Sequence, residues 1–294
     1  MARKTQKRGK AAPRAAAKKQ SSSAKQSSSS KTSTKRLPPP SAEPATTKAG
    51  RRLDAAPDRV DIRDWFYQPR LVSLPDRIIN IHRVPMVLDQ GNEGACTGFA
   101  LAAVINFLRP RELVRESVSP RMLYEMARRY DEWPGESYEG SSARGGMKGW
   151  VRHGVCLESS WPKNLHGARH LTPERAEEAR LIPGGAFYRV AHREVRDMHS
   201  ALAEVGILYM TLMVHDGWDD PKDSHIELQY ATESGKITNV SLPVIKRKGR
   251  ADSGHAVAIV GYTEEGFIIQ NSWGTKWGAS GFALLPYEDY MLHA

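Results

Sequence analysis

Three short stretches of the chain bring together the residue types that nucleophilic thiol chemistry needs. They are Gln90-Gly91-Asn92-Glu93-Gly94-Ala95-Cys96, then Gly254-His255-Ala256-Val257, then Asn271-Ser272-Trp273-Gly274 leading on to Trp277-Gly278 and Gly281. The thiolate is the reactive form of cysteine. Cys96 stands directly before an apolar run that reads as a helix, where the positive end of the helix dipole favours the thiolate. Gly91 and Gly94 allow a tight loop whose backbone N–H groups face a developing negative charge. Gln90 adds an uncharged side-chain donor. His255 is the candidate base, and Asn271 the candidate orienter that holds the imidazole through its amide oxygen.

The elements that must position these groups follow from apolar spacing. Within Thr97–Leu108, Phe99, Ala100, Ala103, Val104, Phe107 and Leu108 form one helical face while Leu101 and Ile105 fill another, so this helix is buried nearly all round. Pro110 ends it. Ser119-Pro120 is an N-cap and first-turn pair for a second helix carrying Met122, Leu123, Met126, Ala127 and Tyr130. A short helix is expected after Gly146, stopping at Gly154, with others over 173–182 and about 192–205. Beyond Gly206 the pattern turns to strands: 207–214, then a hairpin of 256–262 and 267–270. His255 opens one hairpin strand and Asn271 closes the other, so both lie at the same end. A symmetric turn puts the two side chains slightly out of step, and a bulge would correct it. Helices first and strands afterwards give an α+β class with two lobes.

Charge separates the chain into two parts. Of the 294 residues, 1–52 hold 15 Lys/Arg and one acid, Glu43, while 53–294 carry a net charge of −4. The serine runs Ser21–Ser23 and Ser27–Ser30, the proline run Pro38–Pro40 and the lack of large apolar residues read as a disordered basic tail over 1–52. The overall positive charge therefore describes a tail, which excludes a basic nucleic-acid-binding fold for the body. A body of 242 residues buries about 70–75% of its unfolded surface, enough for a sizeable core. Two cysteines, Cys96 and Cys156, exclude a disulfide scaffold and a Cys-rich zinc site. With no apolar run near the roughly 18–20 residues of a membrane span and no secretory h-region, the expected location is the cytoplasm.

The three motifs together resemble the papain-like cysteine peptidases. Gln90 lies six residues before Cys96 and His255 sixteen before Asn271 in an Asn-Ser-Trp-Gly run, and both separations match the family's. The resemblance, densest at these motifs, runs from about Leu74 to Phe282. It implies a helical lobe (about 88–182) and an antiparallel β-barrel-like lobe (about 183–294, with 53–87), the active site lying in the cleft between them. It also implies Cys96 as nucleophile, His255 as base, Asn271 as orienter and Gln90 as oxyanion donor. Trp273 would shield the His–Asn hydrogen bond, and Gly145-Gly146 would line the substrate groove. Three positions depart from the pattern: Glu93 stands where secreted members have a disulfide cysteine, Arg144 before Gly145-Gly146 likewise stands where its partner would be, and Thr97 replaces an aromatic residue after the nucleophile. The implied activity is peptide-bond hydrolysis on a peptide or protein substrate, with no metal or organic cofactor.

Other readings of the same residues remain open at this level. A free cysteine is most often a small core residue, and Cys156, with no activating partner, reads that way. Gly145-Gly146 also fits a plain helix entry. Lys246–Arg250 reads as a solvated basic loop, and His153, His166, His170 and His215 as loop and surface residues. The chain also fits an anion-binding protein that uses its tail for non-specific nucleic-acid contact and carries an inactive body, or a thiol acyltransferase or amidase.

Overall fold

The computed structural model describes residues 45–47, 50–58, 61–131, 140–232 and 234–294. The serine and proline runs, and almost all of the basic segment, lie outside these residues. The elements in chain order are β1 (Ala45–Thr46), β2 (Arg52–Leu53), β3 (Ala55–Ala56), β4 (Ile78–Ile79), α1 (Cys96–Leu108), α2 (Pro120–Arg129), β5 (Ser141–Ser142), α3 (Ala143–His153) and α4 (Pro173–Ala179). They continue with α5 (Val195–Val205), β6 (Leu208–Val214), β7 (His225–Ala231), β8 (Ile237–Pro243), β9 (Ser253–Tyr262), β10 (Gly266–Gln270), β11 (Phe282–Pro286) and α6 (Tyr287–His293). The class is α+β, as expected.

The first helix is buried along its length, from Cys96 to Phe107, as its all-round apolar pattern requires. The Ser119 hydroxyl accepts from the Met122 amide at 3.0 Å, so the Ser-Pro pair does cap α2. Leu101 and Ile105 of α1 pack with Met122, Leu123 and Met126 of α2 and with Trp161 to form the core of the helical side. α3 begins three residues before Gly146, earlier than its glycines suggested, because the Ser142 hydroxyl caps it by accepting from the Gly145 amide at 3.0 Å. Gly145 is glycine for a packing reason: a Cβ there would meet the Ala127 carbonyl oxygen of α2 at 2.6 Å.

On the other side, β9 is the centre of a five-stranded antiparallel sheet, paired with β4, β6 and β10, and β10 pairs in turn with β11. Both faces of β9 are covered. Val257 and Ile259 pack with Met198, Leu202 and Trp273, while Ala258 and Val260 pack with Val104 and Phe107 of α1 and with Leu228 and Leu242 of β7 and β8. The hairpin of β9 and β10 carries a bulge: Ile268 faces Gly261 but Ile269 faces Ile259. Without it, Asn271 would fall opposite Ala258, an odd number of positions from His255 and on the other face. With it, Asn271 comes two positions from His255 on the same face.

The beginning of the ordered chain differs from the composition-based reading. Thr46 pairs with Arg52 and Ala45 with Leu53, so part of the stretch assigned to the tail forms a hairpin. It leads straight into β3, which pairs with β5 in parallel, Ala55 facing Ser141 and Ala56 facing Ser142. A window of basic and small residues carries no sign of this order: the β1–β2 pairing is local but spans only two residue pairs, and the partners of Asp54 and β3 are some 85 to 200 positions away.

Candidate active site

Cys96 is the first residue of α1, as its position before the apolar run required. His255 lies on β9 and Asn271 just past the end of β10. The His255 Nε2 is 2.8 Å from Asn271 Oδ1, and the Ser272 amide donates to the same oxygen at 2.8 Å. An oxygen that already receives one N–H can only accept from the ring. Nε2 therefore carries the hydrogen, and Nδ1 is the nitrogen with a lone pair to offer. Nδ1 is buried with no hydrogen-bond partner among the described residues.

Gln90 is fixed from the other side by the same motif. Its amide accepts at Oε1 from the Ser272 hydroxyl, 2.7 Å away, and its backbone N–H donates to the Ser272 carbonyl. This leaves Nε2 as a donor, 2.9 Å from the Glu93 carbonyl and 3.4 Å from that of Arg52. Ser272 thus ties the Gln90 loop to the strand end that carries Asn271. That role is invisible in the sequence although the residue sits inside a motif. Glu93, at the position of the secreted members' disulfide, instead forms an ion pair with Arg121, which also reaches Glu125 at 3.4 Å.

Two indoles enclose the imidazole. Trp273 lies with its ring centroid 4.9 Å from that of His255, and Trp218 stands edge-on at 6.2 Å. Trp277 donates to the Trp218 carbonyl at 2.6 Å and packs edge-on against Trp273. Nothing in the local sequence marks Trp218. Gly145 and Gly146 lie in the first turn of α3. Cys156 points away from this site, its sulfur 3.1 Å from the Arg175 carbonyl.

Residues 51–58 of the same chain lie against these groups. Arg51 bonds Asp89 at 3.0 Å and the Trp273 carbonyl at 3.1 Å, its guanidinium 5.5 Å from the Trp273 ring centroid. Asp54 bridges to Gly254, Ala55 packs against the cluster of Cys96, Ala100 and Ala256, and the Arg144 amide donates to Asp58 at 3.0 Å. A Cβ on Gly254 would lie 1.9 Å from the Ala55 carbonyl oxygen, so glycine is required for this approach. Thr97 anchors the far wall: its hydroxyl is 2.5 Å from that of Ser141, the residue facing Ala55.

This cover sets the protonation of the pair. Cys96 has no solvent exposure, and burial pushes its thiol up to about 12. The backbone amides of Ala256, Asp54 and Thr97 oppose that shift, while the charge of Asp54 adds to it. Burial pulls His255 down to about 4, against the raising effect of its bond to Asn271. With the segment in place burial favours the neutral form of both the thiol and the imidazole. Desolvation by this cover opposes the thiolate that the helix start favours.

The profile of the papain family cysteine proteases matches residues 76–290. The chain belongs to that family. Among solved structures, xylellain, a cysteine protease from Xylella fastidiosa, is 26% identical with a TM-score of 0.64, over 84% of this chain and 93% of the other. An uncharacterized peptidase C1-like protein, L477, from Acanthamoeba polyphaga mimivirus is 27% identical over 74% of this chain and 68% of its own length. The cysteine endopeptidase Rep1 of Oryza sativa subsp. japonica is 26% identical over 69% of this chain, which spans about half of that protein. The protein is thus a papain-like cysteine peptidase with the papain-like fold. Its family acts on peptide or protein substrates. No described helix is long and apolar enough to cross a membrane.

Proposed function

We propose that the chain hydrolyses peptide bonds through Cys96, His255, Asn271 and Gln90, by way of an acyl-enzyme. The reading rests on one observation above the others: Asn271 Oδ1 receives both the Ser272 amide and His255 Nε2, which leaves Nδ1 as the basic nitrogen. In the opened site Cys96 gives its proton to His255 Nδ1, and the resulting thiolate bonds to the scissile carbonyl carbon. The oxygen that becomes negative is met by the Gln90 amide and the Cys96 backbone N–H. Collapse of this intermediate breaks the C–N bond, and the proton on Nδ1 goes to the leaving amine. Water, deprotonated by the same nitrogen, then attacks the thioester and regenerates the thiol. Asn271 keeps the ring in one tautomer throughout, and Trp273 and Trp218 exclude water from the bond that does so.

A substrate can enter only where residues 51–58 now lie, so turnover requires that segment to move. Once it does, Cys96 and His255 regain solvent and the helix start again favours the thiolate. The test is hydrolysis of a peptide library. Cys96→Ala should abolish it and Cys156→Ala should leave most of it; equal loss in both variants would remove the assignment.

A further inference from the structure

The segment over the cleft is held at its far end by charge. Three carboxylates at spacing three, Asp58, Asp61 and Asp64, meet two arginines of the body. Arg144 pairs with Asp61 at 3.1 Å and with Asp64, while Arg189 pairs with Asp64 at 3.0 Å and with Asp58 at 3.3 Å. Arg144 immediately precedes Gly145 on α3, and its side chain is only 6% exposed. Arg189 is fastened by its backbone to Trp65 and Tyr67. The apolar residues interleaved with the carboxylates point outward: Ile62 is fully exposed and Trp65 is 66% exposed, whereas the Asp64 side chain is 5% exposed. A peptide laid on an indifferent surface does the reverse, burying its isoleucine and tryptophan and leaving its aspartates in water. Burial raises the Asp64 carboxyl, yet Arg144 and Arg189 together hold it below the usual carboxylate range.

From this arrangement we infer that Arg189, assisted by Arg144, is a cationic subsite of the substrate groove that selects an acidic side chain. The inference rests on the peptidase reading above and names its substrate class: peptides with Asp or Glu about four residues from the cleaved bond. The distance comes from the segment itself, in which Asp54 lies at Cys96 while Asp58, four residues on, accepts from the Arg144 amide and pairs with the Arg189 guanidinium. Charge selection reads position along the groove and not chain direction. It therefore holds whichever way a substrate runs relative to this segment. The selection works largely by penalty. A neutral peptide that displaces the segment strips carboxylates from both Arg189 and Arg144, whereas an acidic peptide puts one back.

The test uses the full chain and paired peptides that differ only by Asp or Asn, placed three to five residues to either side of the cleaved bond. The quantity read is the ratio of kcat/KM for the two peptides, which cancels any difference between variants in how much enzyme is covered. On one side of the bond the wild type should favour Asp on the order of tenfold, and the ratio should shrink in high salt. Arg189→Gln should bring the ratio close to one, and Arg189→Lys should restore part of it. Arg144→Gln should lower it by itself, which keeps the test sharp if Arg189→Gln does not fold. A wild-type ratio near one, or a ratio unchanged by these variants, would overturn the subsite while leaving the peptidase reading intact. Cleavage of neither peptide would remove that reading and the subsite with it.

Discussion

Asn271 Oδ1 and Gln90 Oε1 are both committed to Ser272, one through its amide and one through its hydroxyl. The second bond makes Ser272 a positioning residue: it turns the Gln90 amide so that nitrogen, not oxygen, faces the site. Ser272→Ala frees that amide to rotate. Turnover should fall roughly tenfold, with little change in the rate at which Cys96 is alkylated, since the thiol and its base are untouched. Loss of both together would mean that Ser272 supports the fold instead. The neutral pair also gives a pH signature. His255, held at about 4, adds stability that is complete above its unfolded value of about 6.5 and is lost as pH falls toward 4. Cys96, raised to about 12, adds stability that is complete below about 8.5 and is lost as pH rises beyond it. The covered state should therefore have its highest Tm between those two unfolded values. His255→Ala should flatten the acid limb and Cys96→Ala the basic limb; limbs unchanged by these substitutions would assign the pH dependence to other groups.

Among the elements, β3 is the one that keeps the cleft shut. The three nearest atoms to a Cβ on Gly254 all belong to Ala55, so Gly254→Ala strikes the segment before anything else. Alkylation of Cys96 near pH 8 should quicken by about tenfold or more, with Cys156 unaffected, because displacing β3 re-solvates the sulfur. An unchanged rate would mean that β3 does not limit access. The sequence was a good guide to the elements whose signal is local. The all-round apolar face of α1, the Ser119-Pro120 cap and the Gly206 stop are each written within a few residues, and the structure has them. The bulge that aligns His255 with Asn271 was legible only as a need, since register depends on cross-strand partners. β7, β8 and β11 went unread, although Ile226, Leu228 and Tyr230 of β7 alternate with His225, Glu227 and Gln229 as a half-buried strand requires. The covering segment was illegible for a different reason: two alanines show no preference for strand until Ser141 and Gly254 come within reach.

At the scale of the whole molecule, charge is distributed against itself. Residues 1–44 carry 12 Lys/Arg and Glu43 as their one acid, while the body from 53 onward is net negative. Arg51 is already engaged with Asp89 and Trp273, so the cationic arm ends before the hairpin that leads into the cleft. We propose that this arm binds polyanions without sequence preference, because it has neither aromatic residues to stack on bases nor an apolar pattern for a helix to enter a groove. Retardation of DNA or RNA by the full chain should be clear at low salt and fall steeply between about 50 and 200 mM. A chain lacking 1–44 should lose it and still hydrolyse a small neutral peptide at the same rate. The deletion must stop at 44, because removing 45–52 would also remove the β1–β2 hairpin and the Arg51 contacts and so alter the cleft. Absence of retardation by the full chain would leave the arm as a solvated spacer. Retardation that survives the deletion would move the binding to the exposed basic loop Lys246–Arg250 on the body.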